Sequence, residues 1–164
     1  MTNHLVNIFN KTKIKLNKNQ LIRIIKDVLE ILKIKKSCEI NLILVDDKFI
    51  TKLNRTYRGV NSPTDILTFG LLEKTKEKFD SPDQLLHLGD IFISLETAKR
   101  QSRKRNCSLI LEITILLIHG ILHIFGYEHK DRESRRRMER KTEKILEELG
   151  KQKTIHLKGE LCVV

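Results

Sequence analysis

At 164 residues the chain is long enough to bury a core and short for two, so one domain over residues 1–164 is expected. Its 40% hydrophobic content is ordinary for a folded protein, whereas 32 Lys+Arg against 21 Asp+Glu leave a charge of +11, which favours an anionic partner such as nucleic acid or a membrane surface. The cysteines, Cys38, Cys107 and Cys162, are far apart and lack any C-x-x-C spacing, which argues against a disulfide framework or a cysteine-based zinc site and for a reducing, cytoplasmic setting. The N-terminus has no continuous apolar segment of the signal-peptide kind. The longest apolar run, Leu109 to Ile118, is broken by Glu112 and falls short of the roughly 20 residues that cross a bilayer.

Strand character opens the chain at residues 4–9, HLVNIF, and Asn17 or Asn19 can cap an amphipathic helix over QLIRIIKDVLEILKIKK. There Leu21, Ile25, Val28, Leu29 and Leu32 share one face. EINLILV alternates through Ile40, Leu42 and Leu44 as a half-buried strand does. Asp46 or Asp47 then caps a short helix presenting Ile50, Leu53 and Tyr57, with Gly59 placed to end it. NSPTDILTFGL turns at Ser62-Pro63 into a third strand, and LGDIFIS forms a fourth after a charged connection from Glu73 to His87 that holds Pro82. Ser94 can cap a helix through about Lys104, and Ser108 another that is apolar nearly all round. A last helix runs from Asp131 to Leu149, with Met138, Ile145, Leu146 and Leu149 on one side and Gly150 as its stop. Strands first and helices last predict an α+β domain in which helices cover a small four-stranded sheet and the apolar helix lies at the core.

That central helix runs into HGILHIFGYEH. His119 and His123 are four residues apart and so stack on one helical face. His129 would point elsewhere on a continued helix, but Gly126 can adopt the left-handed conformation that ends one and lets the following turn bring His129 back. Any single histidine here could pack in the core with a satisfied N–H. Three at this spacing supply nitrogen ligands for zinc and leave a fourth tetrahedral position for water, the design of a catalytic site. Glu112, seven residues before His119, is placed either to accept a ligand imidazole's second N–H or to pair with a nearby basic residue.

The same spacing occurs in metzincin-type proteases, where a glutamate follows the first histidine as general base; here that residue is Gly120, and Met138 falls inside a predicted helix. A phosphodiester substrate accounts better for the charge, because KRQSRKR (Lys99 to Arg105) and KDRESRRRMERK (Lys130 to Lys141) flank the histidine helix. Part of each run is expected to be a plain solvated face.

LNRTYRGVNSPTDILTF, then LGDIFIS, then HGILHIFGYEH and a helix with Met138 and Glu139 closely resemble the YbeY family of bacterial and organellar endoribonucleases. The resemblance implies a zinc-dependent endoribonuclease that prefers single strands and acts in rRNA processing, notably 16S rRNA 3′-end maturation, and in ribosome quality control. It makes His119, His123 and His129 the zinc ligands and Arg58, in YRG, the arginine of the substrate groove. A guanidinium suits that task because it can fork onto phosphate oxygens and offset charge developing at phosphorus. Implied partners are RNA, the small ribosomal subunit, one of its proteins and an Era-type GTPase. The chain departs from the family's usual residues at Gly70, Glu128 and Asn61. Two other readings compete: a zinc-stabilised assembly factor that binds RNA or a ribosomal protein without cutting, and a metzincin-like peptidase.

Overall fold

The computed structural model describes residues 2–71 and 85–156. Within them the chain forms β1 (Leu5–Asn10), α1 (Lys18–Ile31), β2 (Cys38–Val45), α2 (Asp47–Arg58), β3 (Ile66–Gly70), β4 (Leu86–Ser94), α3 (Leu95–Arg105), α4 (Leu109–Ile124) and α5 (Arg132–Lys151). The strands make one mixed sheet in the order β1-β2-β4-β3, with β3 antiparallel at an edge and the other pairings parallel. This is the expected α+β architecture. Most of the connection predicted from Glu73, including Pro82, lies outside the described residues, as does Cys162, while His87 belongs to β4.

The helix starts follow from side chains that satisfy otherwise orphaned N–H groups. Asn17 accepts from Gln20, Asp46 from Phe49, Ser94 from Thr97, Ser108 from Leu111 and Asp131 from Ser134. Because Asp46 is the cap of α2, Asp47 is free to accept from Ser94 and Thr97 at 2.6 Å each and to pair with Arg100 at 2.8 Å, tying the start of α2 to that of α3. Two ends differ from expectation. The periodic run of α1 extends in sequence to Lys36, yet the helix stops at Ile31 because Lys33 turns left-handed at φ 57°. Gly150 does not stop α5: the helix includes it and ends where Lys153, also at φ 57°, lets the Thr154 N–H reach the Leu149 carbonyl.

Strand alternation divides the apolar side chains between two cores. Ile40, Leu42, Leu44, Leu88, Ile91 and Ile93 join the buried faces of α1, α4 and α5 in the larger one. Ile43, Val45 and Leu67 meet Ile50 of α2 in the smaller, with Phe49, Leu53, Phe69 and Phe92 packed around it. Toward the other end of the strands, Asn7 donates to Asn41 at 2.9 Å and Asn41 to Asp90 at 2.8 Å, while His87 and Glu39 pair at 2.5 Å. These polar cross-strand contacts explain why Asn41 interrupts an otherwise apolar strand.

Helix α4 is the buried centre. Nearly all of its residues from Leu111 to Ile124 are buried, and His119 and His123 are the exceptions. It lies unusually close to the sheet at Gly120, where an added Cβ would stand 2.9 Å from Ile66 Cδ1 and 3.1 Å from Ile91 Cδ1. That approach sets the height of both histidines above β3 and β4.

Candidate functional site

The end of α4 is a two-bond glycine cap. The Gly126 N–H reaches the His123 carbonyl and the Tyr127 N–H the Leu122 carbonyl, with Gly126 at φ 88°. The left-handed glycine therefore reverses the chain as the sequence required, and His129 returns to the histidine face. Its ring centroid lies 4.8 Å from that of His123 and 6.3 Å from that of His119, each pair edge-on. Among the described residues, no three His, Cys, Asp or Glu donors already enclose a common point as a metal-binding group would. His129 lies on the exposed turn, whereas His119 and His123 are partly buried on α4.

The electrostatics favour neutral imidazoles. Burial, then repulsion from His129 and His123, pushes His119 down to about 4, with Asp65 acting in the opposite direction. His123 is lowered by burial first and next by His129, with a smaller contribution from Arg58, whose guanidinium thus stands close enough to repel an imidazolium. A hydrogen bond between His123 and the Tyr127 backbone acts the other way, so the ring is its donor and the carbonyl its acceptor; the second ring nitrogen keeps its lone pair. Neutral, oriented imidazoles are what a zinc site requires of its ligands, so the donor set fits that ion.

A groove of about 340 Å³ opens beside these rings, lined by Arg58, Thr64, Asp65, Thr68 and Gly70 on one side and His123, Gly126, Tyr127 and Glu128 on the other. Gly59, left-handed at φ 70°, ends α2 immediately after Arg58. A second hollow of about 350 Å³ shares Gly126, Tyr127 and Glu128 and extends to Ser134 and Arg137 of α5. Glu128, the longer acid at its position, is turned to Lys130 at 2.7 Å.

Glu112 departs from the role of a ligand-orienting acceptor. It is fully buried, but its Oε2 faces α3, 3.7 Å from Arg105 Nε and 3.8 Å from Cys107 Sγ, and its Oε1 has no hydrogen-bond partner. The carboxylate that acts on His119 is Asp65. Sequence reasoning quoted Asp65 only as part of PTD; its place at the start of β3 in that motif was the available signal. The chain fixes it firmly: Asp65 accepts from the Ile66 N–H at 2.8 Å and from Gln101 Nε2 at 3.0 Å. Gln101 and Arg105, one turn apart on α3, were missed because they read as members of a basic run.

Burial raises the Glu112 carboxyl above its ordinary value, with Arg105 opposing. A raised carboxyl binds its proton more tightly in the folded chain, so its contribution is full below the ordinary carboxylate range and is lost as pH rises through the raised value. Glu112→Gln is therefore expected to be at least as stable as wild type at neutral pH and to bind zinc within about twofold of it. Equilibrium unfolding and competitive zinc titration check both. A zinc affinity reduced tenfold or more, the usual cost of losing a partner behind a ligand, would return Glu112 to the orienting role.

The family model for "Endoribonuclease YbeY" matches residues 7–150. Among curated relatives, the "Endoribonuclease YbeY" of Heliobacterium modesticaldum is 44% identical over 119 residues, 70% of this chain and 72% of that one. That of Caldanaerobacter subterraneus is 37% identical over 135 residues, 79% of this chain and 85% of its own. The solution structure of TM1509 from Thermotoga maritima superposes with a TM-score of 0.56 at 26% identity, covering 92% of this chain and 95% of the other. Over its sheet, its histidine helix and most of its length, this chain belongs to the YbeY endoribonuclease family.

Proposed function

We propose that the protein is a zinc-dependent endoribonuclease that cuts single-stranded RNA. The observation that carries this reading is the meeting of His123 and Arg58 at one groove, with the His129 ring beside those of His123 and His119, in a chain of this family. His119, His123 and His129 would hold the ion, which when bound supplies a Lewis acid and a water acidified to roughly neutral pKa. The protein's own contribution is placement and charge. Arg58 stands where a phosphate in the groove would receive its guanidinium, the Tyr127 carbonyl orients His123, and the Asp65 charge acts on His119. The basic face of α5, reached through the second hollow at Arg137, extends the contact to further phosphates.

The finer expectations belong to the same proposal: cytoplasmic action in rRNA processing at the 16S 3′ end and in ribosome quality control, with the small ribosomal subunit, one of its proteins and an Era-type GTPase as partners. Family membership and the net charge of +11 support them. Among the described residues no single helix is long and apolar enough to cross a membrane.

The test is cleavage of a labelled single-stranded RNA by zinc-assayed wild type, Arg58→Glu and His123→Ala, each checked for folding by circular dichroism. Wild type should cut, Arg58→Glu should lose about 100-fold or more, the scale of removing one charge-stabilising donor, and His123→Ala should lose zinc and activity together. Equal cutting by all three would reassign the activity to a contaminant and the protein to zinc-stabilised assembly. Product ends identify the nucleophile: a 2′,3′-cyclic phosphate indicates the RNA 2′-hydroxyl, and a directly formed linear phosphate indicates water.

A further inference from the structure

We propose that the Tyr57 ring is a stacking platform for one unpaired nucleobase of an RNA strand whose phosphate lies at Arg58. The inference rests on the ribonuclease reading and specifies a base subsite for it. Spacing along α2 predicts that Tyr57 joins Ile50 and Leu53 toward the sheet, yet the residue is 65% exposed. A ring left open in this way forgoes the burial by which aromatic side chains usually contribute to a fold.

Tyr57 is nevertheless held. Phe69 meets its ring at 4.9 Å and 67°. Phe69 in turn meets Phe92 at 5.7 Å, and Phe92 lies nearly parallel to Phe49 at 6.3 Å, so a row of rings anchors Tyr57 to the smaller core. The ring is therefore braced on one edge by Phe69 and open to solvent over most of its area, where a base can stack on it.

Position supplies the ligand class. Tyr57 and Arg58 are consecutive at the end of α2, so their side chains leave the helix about 100° apart from neighbouring backbone positions. Arg58 lines the groove, while Tyr57 lies against Phe69 on the other face of the edge strand β3, so a strand of RNA that reaches both crosses that edge. A nucleotide likewise presents its phosphate and its base on different sides of one sugar. Three of the five large apolar side chains exposed among the described residues, Tyr57, Val60 and Leu71, are close in sequence to the groove residues Arg58 and Gly70. Exposed apolar side chains next to the Arg58 guanidinium match single-stranded nucleic acid, which offers a flat base next to a charge.

The experiment uses zinc-loaded full-length protein and a labelled single-stranded oligoribonucleotide. Tyr57→Ala should raise KM about tenfold with kcat near wild type, Tyr57→Leu should fall between, and Tyr57→Phe should restore wild-type KM, since the ring and not the hydroxyl does the stacking. The chain contains no tryptophan, so Tyr57→Trp installs a single reporter. Its fluorescence should be quenched on titration with a 2′-O-methyl oligonucleotide. One abasic position in that oligonucleotide should weaken wild-type binding about as much as Tyr57→Ala does, and should weaken Tyr57→Ala no further. Wild type that cuts RNA while Tyr57→Ala matches its KM, or a Tyr57→Trp protein that binds RNA without quenching, overturns the stacking site alone. Wild type that neither binds nor cuts RNA overturns the ribonuclease reading and this one with it.

Discussion

Gly120→Glu will not create a peptidase; it will keep the protein from folding. The metzincin arrangement places a glutamate directly after the first histidine, and Gly120 occupies that position. A Cβ there would stand 2.9 Å from Ile66 Cδ1, 3.1 Å from Ile91 Cδ1 and 3.3 Å from Thr68 Oγ1, between the central helix and the sheet. Even Gly120→Ala must therefore displace the δ-methyl ends of two isoleucines, and because those ends can give, the overpacking cost is about 1 kcal/mol, the low end of its usual range. A glutamate adds four more heavy side-chain atoms, three of them a carboxylate with no partner in an apolar layer, a burden of at least several kcal/mol against a total stability of roughly 5–15 kcal/mol. Urea unfolding of Gly120→Ala and soluble yield of Gly120→Glu measure the two steps. A Gly120→Glu protein that folds with wild-type stability would show slack in this layer and reopen the peptidase reading.

The Gly120 contact also shows where sequence reading stops. Periodicity located the strands and helices because each buries one face, and cap residues located the helix starts because few side chains can satisfy those N–H groups. Asn17, Asp46, Ser94, Ser108 and Asp131 all had that character in the sequence. Ends set by backbone conformation at ordinary residues were harder: Lys33 and Lys153 turn left-handed with nothing in a lysine to announce it, whereas Gly59 and Gly126 were legible. Within the site, local spacing was enough to bring His119, His123 and His129 to one face. Asp65 acts on His119 only because β3 pairs beside β4 under α4, a long-range arrangement that no spacing encodes. For the same reason Glu112, correctly placed on the histidine side of the helix by its seven-residue interval, turned out to answer to Arg105 on a neighbouring helix. The exposure of Tyr57 was likewise hidden, since helical spacing says which side chains point toward a sheet but not how far the sheet reaches.

Zinc-free protein will lose stability as pH falls from about 6.5 toward 4, and loss of the His119 imidazole will flatten that slope. The sign follows from direction. His119 is lowered from its ordinary value of 6.5 to about 4, by burial first and then by the neighbouring histidines, so in this window the unfolded chain takes up a proton that the folded chain refuses. The contribution is full above pH 6.5, falls through the window and is spent below about 4. A shift of that size corresponds to at most about 3 kcal/mol, and to less at a partly exposed ring that water screens. His123 is lowered in the same direction and adds to the slope. If the proposed zinc site is correct, zinc will make the dependence steeper, because an ion held by three imidazoles needs them all unprotonated and acid would release it as well as oppose the fold. Thermal unfolding of wild type and His119→Gln across this range, with and without a zinc chelator, separates the contributions. Wild type should show the steepest fall with zinc, a shallower one without it, and His119→Gln the shallowest. Zinc-free curves that stay parallel for the two proteins would mean that His119 is open enough to water to titrate normally, and would remove burial as the force that keeps this imidazole ready for a metal.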